Sequence, residues 1–418
     1  MGQTIAEKIL AEKSDSDGVD PGDYVVCDVD VAMTQDVHTP AVFRKLESMG
    51  VSAVWDPSRV VVVFDHMAPS HSVDDADTKA RLRTTIDEYD IEHFYDVGTG
   101  ISHLLLPENG HVRPGDVIVG TDSHTISHGA FGAAGTGIGD TDMAYALATG
   151  TVWFRVPETV RFHVTGRFGS RVSPKDLLLS LVAEHGLDIA QYRSIEFTGP
   201  AVEALPLDDR LTLSNMSVEL GGKFGFTPID DRVIEYVEKR TDEPFSPVRS
   251  DLDATYERVF EHDVSELEPQ VARPHDVDNV DPISAVAGID VDQVFLGTCT
   301  HGTFADLQAA AELLSGRSVD PGTRMIVTPA SREIYRRAVD EGIVDTFTRA
   351  GATVTNPTCG ACLGLGMGVL GDGETCLAAQ NRNYRGRMGN DSSEIYLASP
   401  ETAAATALSG YIADPREV

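Results

Sequence analysis

The chain has 418 residues, with 66 acidic against 33 basic side chains and a formal charge of −33. No uncharged apolar run is long enough to cross a bilayer, and so large an excess of carboxylates repels nucleic-acid backbones and anionic membrane surfaces. The expectation is a cytoplasmic protein that takes neither nucleic acid nor membrane as partner. A hydrophobic share of 41% is ordinary, so the acidity overlies a normal core and suits a high-salt cytoplasm that screens self-repulsion.

Short Val/Ile-rich runs alternate with helical stretches, which predicts an α/β fold with two or three domains at this length. Tyr24-Val25-Val26 makes an apolar run into Cys27. Val60 to Phe64 reads as a buried strand ending at Asp65-His66, and Asp116 to Gly120 as another ending at Thr121-Asp122-Ser123-His124-Thr125. Both deliver polar residues at their carboxyl ends, where open α/β sheets place ligands. The segment Gly129 to Gly139 misses the G-x-G-x-x-G spacing at Asp140 and is read as glycine packing beside a buried site. No phosphate-binding loop of the G-x-x-x-x-G-K-[ST] kind occurs.

A second unit opens near the alternating Val160 to Val164 and runs to an acidic linker over Asp276 to Pro282. The third begins with a strand at Gln293 to Leu296, followed by a helix Phe304 to Leu314, a strand Met325 to Val327, a helix Arg332 to Glu341 and a strand Thr353 to Thr355. This β-α-β-α order predicts a parallel sheet. The expected domains are 1–158, 159–284 and 285–418.

Three of the five cysteines carry the chemistry: Cys299, at the carboxyl end of a strand, and Cys359 and Cys362 in Cys-Gly-Ala-Cys after the last strand of the third unit. All three lie among glycines and small polar residues in turns, where a packing role is weak and close backbone approach to a prosthetic group is open. One thiolate, a long spacer and a Cys-x-x-Cys pair suit a [4Fe-4S] cluster with three protein ligands and one iron left open. An open iron acts as a Lewis acid on hydroxyl and carboxylate oxygens, which points to dehydration chemistry. A Cys3His zinc site using His301 is the competing reading, in which the chain is a non-catalytic metal protein. A closed, electron-transfer cluster is its variant. Cys27 and Cys376, in apolar runs, read as small core residues.

Several separated motifs then carry a resemblance to one family: Asp65-His66 with Pro69, Gly100-Ile101-Ser102-His103, Gly120 to Thr125, Asn215-Met216-Ser217-Val218-Glu219, the three cysteines, and Asn381 to Arg387. Together they resemble the aconitase family, in the isopropylmalate dehydratase and homoaconitase branch, over essentially the whole chain. The resemblance implies a three-layer α/β/α large subunit with three α/β domains around one [4Fe-4S] cluster held by Cys299, Cys359 and Cys362. It implies an acid network of Asp65, His66, His103, Asp122, His124 and Glu219. Gln35 and Ser123 would lie near substrate, Arg382 and Arg387 would grip its carboxylates, and Asn215 would lie near the cluster. The implied activity is a hydro-lyase that isomerises a hydroxy di- or tricarboxylic acid by dehydration and rehydration. Isopropylmalate is the first substrate, with homocitrate or homoaconitate and methylmalates as alternatives.

Two departures matter. The family reads Ser-Cys-Thr-Asn-Gly-Arg where this chain reads Thr298-Cys299-Thr300-His301-Gly302-Thr303, so His301 stands beside the implied cluster as a possible ligand to the fourth iron or to zinc. The chain also ends at Val418, without the domain that in single-chain aconitases supplies the serine base and further arginines. A small swivelling-domain subunit is therefore the expected partner. From the charge alone, the melting temperature should fall as salt drops from 1 M to 0.1 M and the Debye length grows from roughly 3 to about 10 Å. A flat profile in a thermal-shift salt series would contradict the high-salt reading.

Overall fold

The computed structural model describes residues 2–418. Three sheets make up the body, with a two-stranded antiparallel ribbon of Tyr24–Asp28 and Thr151–Arg155 at one side. In the first sheet the strands run His93–Tyr95, Val60–Val63, Val31–Gln35, Val117–Gly120 and Ala134–Gly137, all parallel. The chain enters at Val31–Gln35 and winds outward both ways, so the sheet's switch point lies beside Gln35. In the second sheet Phe224–Phe226, Ser194–Thr198, Thr159–Thr165 and Arg258–Asp263 are likewise parallel.

The third sheet has seven strands in the order Val280–Pro282, Gln270–Ala272, Glu394–Leu397, Thr375–Ala379, Gln293–Gly297, Arg324–Thr328 and Thr353–Val354. Its last five strands are parallel, and the first two run antiparallel to their neighbours. The acidic stretch read as a linker thus supplies an edge strand. Three residues, Val280–Pro282, are too few to show a period of two, and the pairing with Gln270–Ala272 is what fixes them.

Burial on both faces explains the continuous apolar runs. Val60 and Val62 join one core with Val117 and Val119, while Val61 and Val63 join another that also holds Val294, Leu296 and Val327. Phe295, between those last residues in sequence, points to a third core with Phe162, Ile195 and Cys376. Successive side chains leave a strand on opposite faces, so the central strand Gln293–Gly297 links the first unit to the second. Cys27 and Cys376 are both fully buried, as small core residues.

The glycine-rich segment is a packing device. Residues Ser123–Phe131 form 3-10 turns against the strand Phe224–Phe226. A Cβ on Gly129 would sit 1.9 Å from the Gly225 carbonyl oxygen, and Ser214 Oγ reaches both that carbonyl, at 2.6 Å, and that of Ile126, at 2.9 Å. Gly129→Ala should therefore cost about 2 kcal/mol or more, the scale of core overpacking. The urea midpoint measures it, and an unchanged midpoint would show that the two segments separate freely.

Candidate active site

The site assembles where the parallel strands end. Val31–Gln35 delivers Gln35, whose Nε2 donates to Ser102 Oγ at 2.9 Å. Val60–Val63 delivers Asp65 and His66, with His66 Nδ1 2.7 Å from Asp65 Oδ1. The second oxygen of Asp65 accepts the Ser102 amide at 2.8 Å, at the first turn of the helix Ser102–Glu108 that carries His103. Val117–Gly120 delivers Asp122, which caps the Ser123–Phe131 segment by accepting the His124 amide at 2.7 Å.

From there the contacts form a chain of acids and imidazoles. His66 Nε2 lies 4.0 Å from Asp122 Oδ2, and His103 Nε2 lies 3.1 Å from Asp122 Oδ1. His124 Nδ1 is 3.3 Å from that same oxygen, and its Nε2 is 3.3 Å from Glu219 Oε1. Arg382 closes the chain: its Nε lies 2.7 Å from Glu219 Oε1, off the line of a hydrogen bond and so an ion pair, and its Nη1 donates to Ser123 Oγ at 3.2 Å. Glu219 itself comes from the second unit, on the 3-10 turn Ser217–Leu220.

The sulfurs border this chain. Cys299 lies in the turn after Gln293–Gly297, where Thr298 takes φ 78°, a left-handed conformation costly for a non-glycine residue. Asn215 Nδ2 donates to Cys299 Sγ at 3.3 Å and to Ser127 Oγ at 2.8 Å, while its Oδ1 accepts from Thr300 Oγ1 at 3.0 Å and from Asn381. The Cys359 amide donates to the Asp65 carbonyl at 2.8 Å, and Arg387 Nη2 lies 3.7 Å from Cys362 Sγ. Ligand atoms of Asp65, His66 and Cys359 fall within 4.8 Å of one another. His301 turns its Nδ1 to Asp306 Oδ1 at 3.1 Å, and its buried Nε2 has no hydrogen-bond partner among the described residues.

Electrostatics explain what this constellation lacks. Burial pushes the Cys299 thiol up to about 12, with Asp122 and Cys362 adding to it. Burial also raises Cys359 well above its ordinary value, reinforced by Asp65 and the other two cysteines. Two buried thiols held this high beside a third sulfur call for a cationic centre, since metal binding is what deprotonates a buried cysteine. All five cysteines are free. The donor set therefore fits an iron–sulfur cluster. It fits a single zinc poorly, because the three sulfurs and His301 do not converge within 4.8 Å among the described residues.

Some functional neighbours carry no signature in the sequence. Lys175, on the helix Pro174–His185, is wholly buried, donates to the Gln380 carbonyl at 2.5 Å and is brought down to about 8 by burial, against the pull of Glu219, Asp176 and two of the thiols. Asp36 accepts the amides of His66 and Met67 at 3.1 and 3.0 Å and pairs with Lys79 at 3.3 Å. His128 is buried 6.0 Å from the His103 ring, and neither of its nitrogens has a hydrogen-bond partner among the described residues. A lone Asp, Lys or His has no period or spacing by which to be found.

With the geometry in place, comparison with known proteins defines the class. The family profile of the aconitases (aconitate hydratase) matches residues 7–288 and 284–410, and the chain belongs to the aconitase family. Within it, the chain is 52% identical over 416 residues to "3-isopropylmalate dehydratase large subunit 1" of Methanopyrus kandleri, covering 100% of this chain and 99% of that protein. It is 49% identical over 415 residues to the "Probable 3-isopropylmalate dehydratase large subunit" of Methanothermobacter thermautotrophicus, covering 99% of each. Identity to the large subunit from Aquifex aeolicus is 45% over 423 residues, or 100% of this chain and 98% of that one. The solved structure of Thermococcus kodakaraensis aconitase X in its holo form shares the fold at a TM-score of 0.50 and 14% identity, over 86% of this chain and 84% of that one.

His66 makes the acid network testable. Burial alone would lower its pKa, but Asp65, Asp36 and Asp122 outweigh burial and bring it to about 9. The folded value lies above the unfolded one, near 6.5, so the stabilisation is complete below pH 6.5 and is lost as pH rises through 9. In the metal-free chain, wild type should lose about 1–3 kcal/mol relative to His66→Gln over that range. Parallel pH profiles of the two proteins in urea denaturation would show that His66 is not held as imidazolium.

Proposed function

We propose that the chain is the large, cluster-bearing subunit of a hydro-lyase that converts 2-isopropylmalate to 3-isopropylmalate in leucine biosynthesis. The observation that carries this is the meeting of three buried thiols with the Asp65–His66, Asp122–His124 and Glu219–Arg382 pairs in a chain that resembles isopropylmalate dehydratase large subunits at full length. In this reading Cys299, Cys359 and Cys362 hold a [4Fe-4S] cluster whose fourth iron has no protein ligand. When bound, the cluster supplies Lewis acidity toward hydroxyl and carboxylate oxygens.

The protein's own residues do the rest. Arg382 and Arg387 bind substrate carboxylates, since the planar guanidinium offers two parallel donors to a carboxylate and fixes its orientation. Glu219 and Ser123 hold Arg382 in place. Asp65 holds His66 as an imidazolium, so its Nε2, the nitrogen that faces Asp122, has a proton to give to departing hydroxide. Hydrogen bonds from His103 and His124 keep Asp122 well below the usual carboxylate range despite burial, so it stays charged and anchors both rings. His124 and the Arg382 charge likewise lower Glu219 despite its burial. Asn215 donates to Cys299 Sγ, the kind of hydrogen bond that tunes a cluster's sulfurs.

A small swivelling-domain subunit completes the enzyme in this reading, as the relatives' designation as large subunits supports. Five reduced, buried cysteines accord with a reducing, cytoplasmic setting. Among the described residues no helix is long and apolar enough to cross a membrane. The three units, 1–158, 159–284 and 285–418, each bring part of the site: the acid network, Asn215 with Glu219, and the thiols with the arginines.

One set of preparations tests the reading. Made anaerobically, the chain should be brown, with about four irons and four sulfides, and should turn over 2-isopropylmalate only with the small subunit present. Cys359→Ser should lose iron and activity together. Arg387→Lys should keep its iron and lose about 2–3 kcal/mol of transition-state binding, the scale of a hydrogen bond to a charged group. A colourless protein holding one zinc, or full turnover by this chain alone, would refute it.

A further inference from the structure

On the second sheet, away from the strand ends that carry the thiols, two imidazoles face each other. His185 is the last residue of the helix Pro174–His185, and His262 lies in Arg258–Asp263, the edge strand paired only with Thr159–Thr165. Their Nε2 atoms are 3.1 Å apart. Glu184 flanks the pair, with Oε1 3.8 Å from His185 Nε2 and Oε2 3.7 Å from His262 Nδ1. All three offer ligand atoms within 4.8 Å of one another.

We propose that Glu184, His185 and His262 form a binding site for a divalent transition-metal ion of the zinc class, which clamps the end of the helix to the edge strand. Zinc–nitrogen bonds of about 2.0–2.1 Å at tetrahedral angles put two ligating nitrogens about 3.3 Å apart, close to the spacing found here. Two imidazoles and one carboxylate are the borderline donor set such ions take, with water filling the remaining position. The rings are already aimed: Phe260 packs on His185 with centroids 4.4 Å apart, and Phe162 lies 5.9 and 6.0 Å from the two rings. Preorganisation of this kind removes part of the ordering cost of binding.

The charge environment agrees. The two facing Nε2 atoms, 3.1 Å apart, cannot both carry a hydrogen. A neutral ring is the coordinating form. The helix of 12 residues ends at His185, and a helix carboxyl terminus carries partial negative charge that favours a cation. Side-chain exposures of 11% for His185, 14% for His262 and 59% for Glu184 leave an entry path from solvent on the carboxylate side.

The alternative is a plain N–H···N hydrogen bond between two neutral rings, and metal counting separates the two. The full chain, purified anaerobically with its cluster, is dialysed against micromolar zinc chloride, and bound zinc and iron are counted by mass spectrometry. Wild type should take up one zinc saturably at unchanged iron. His185→Gln/His262→Gln should take up none. Glu184→Gln, at an exposed position whose loss leaves the fold intact, should weaken zinc binding by about tenfold or more, and zinc should raise the melting temperature of wild type alone. No saturable zinc in wild type overturns the site, as does affinity unchanged in Glu184→Gln or zinc retained by the double variant. If the double variant loses iron through misfolding, the Glu184→Gln comparison decides.

Discussion

The backbone hydrogen bond from the Cys359 amide to the Asp65 carbonyl, at 2.8 Å, is the joint on which the site's geometry turns. It fastens the thiol-bearing turn of the third unit to the end of a strand in the first, and Thr358 Oγ1 doubles it by donating to the same carbonyl at 2.8 Å. Because Asp65 spends its side chain on His66 and the Ser102 amide, one residue fixes the position of a sulfur, an imidazole and the helix that carries His103. A comparable joint on the other side runs through Asn215, which reaches Cys299, Ser127, Thr300 and Asn381 from the second unit.

Such joints are needed because the site is an electrostatic problem before it is a catalytic one. Carboxylates, imidazoles and thiols buried together are costly unless each is paired. Here the pairing is internal for the acids and bases, which explains why Asp122 and Glu219 stay charged despite burial. It is incomplete for Cys299 and Cys359, whose thiols burial pushes up. Lys175, from the helix Pro174–His185, and Arg387 bring positive charge toward the sulfurs from distant parts of the chain, but neither neutralises three thiolates. The arrangement is complete only with a cationic centre among the sulfurs.

His301 and its neighbours show how a change of residue beside the thiols is absorbed. The ring stands two positions after Cys299 yet pairs with Asp306, which closes the capping box with Thr303 at the start of the helix Phe304–Leu314. Burial lifts Asp306 to about 7 and holds His301 well below its usual range, with Lys175 adding to the latter. His301 therefore stays neutral beside a carboxyl that burial raises. Lys175 and Glu401, at the start of the last helix, act on the same ring through their charges, in opposite directions.

What the sequence determined by itself are the features with a period or a fixed spacing. Val60 to Val63 and Val117 to Val119 are legible as strands because burial on both faces demands unbroken apolar runs, and the polar residues after them are then legible as strand ends. Helix Phe304–Leu314 is legible from its capping Thr303 and its apolar repeat. Cys359-x-x-Cys362 and the Asn381 to Arg387 stretch stand out because the chain has only five cysteines and because Arg382, Arg385 and Arg387 crowd into six residues. The tertiary structure alone decided the rest, since nothing local encodes a partner hundreds of residues away. Val280–Pro282 is a strand only because Gln270–Ala272 lies beside it. Lys175 reaches Gln380, Glu219 reaches His124 and Arg382, and His185 meets His262 only after parallel strands bring distant segments to common ends and edges. Spacing along the chain reports which side chains share a turn or a face, whereas charge compensation acts through space.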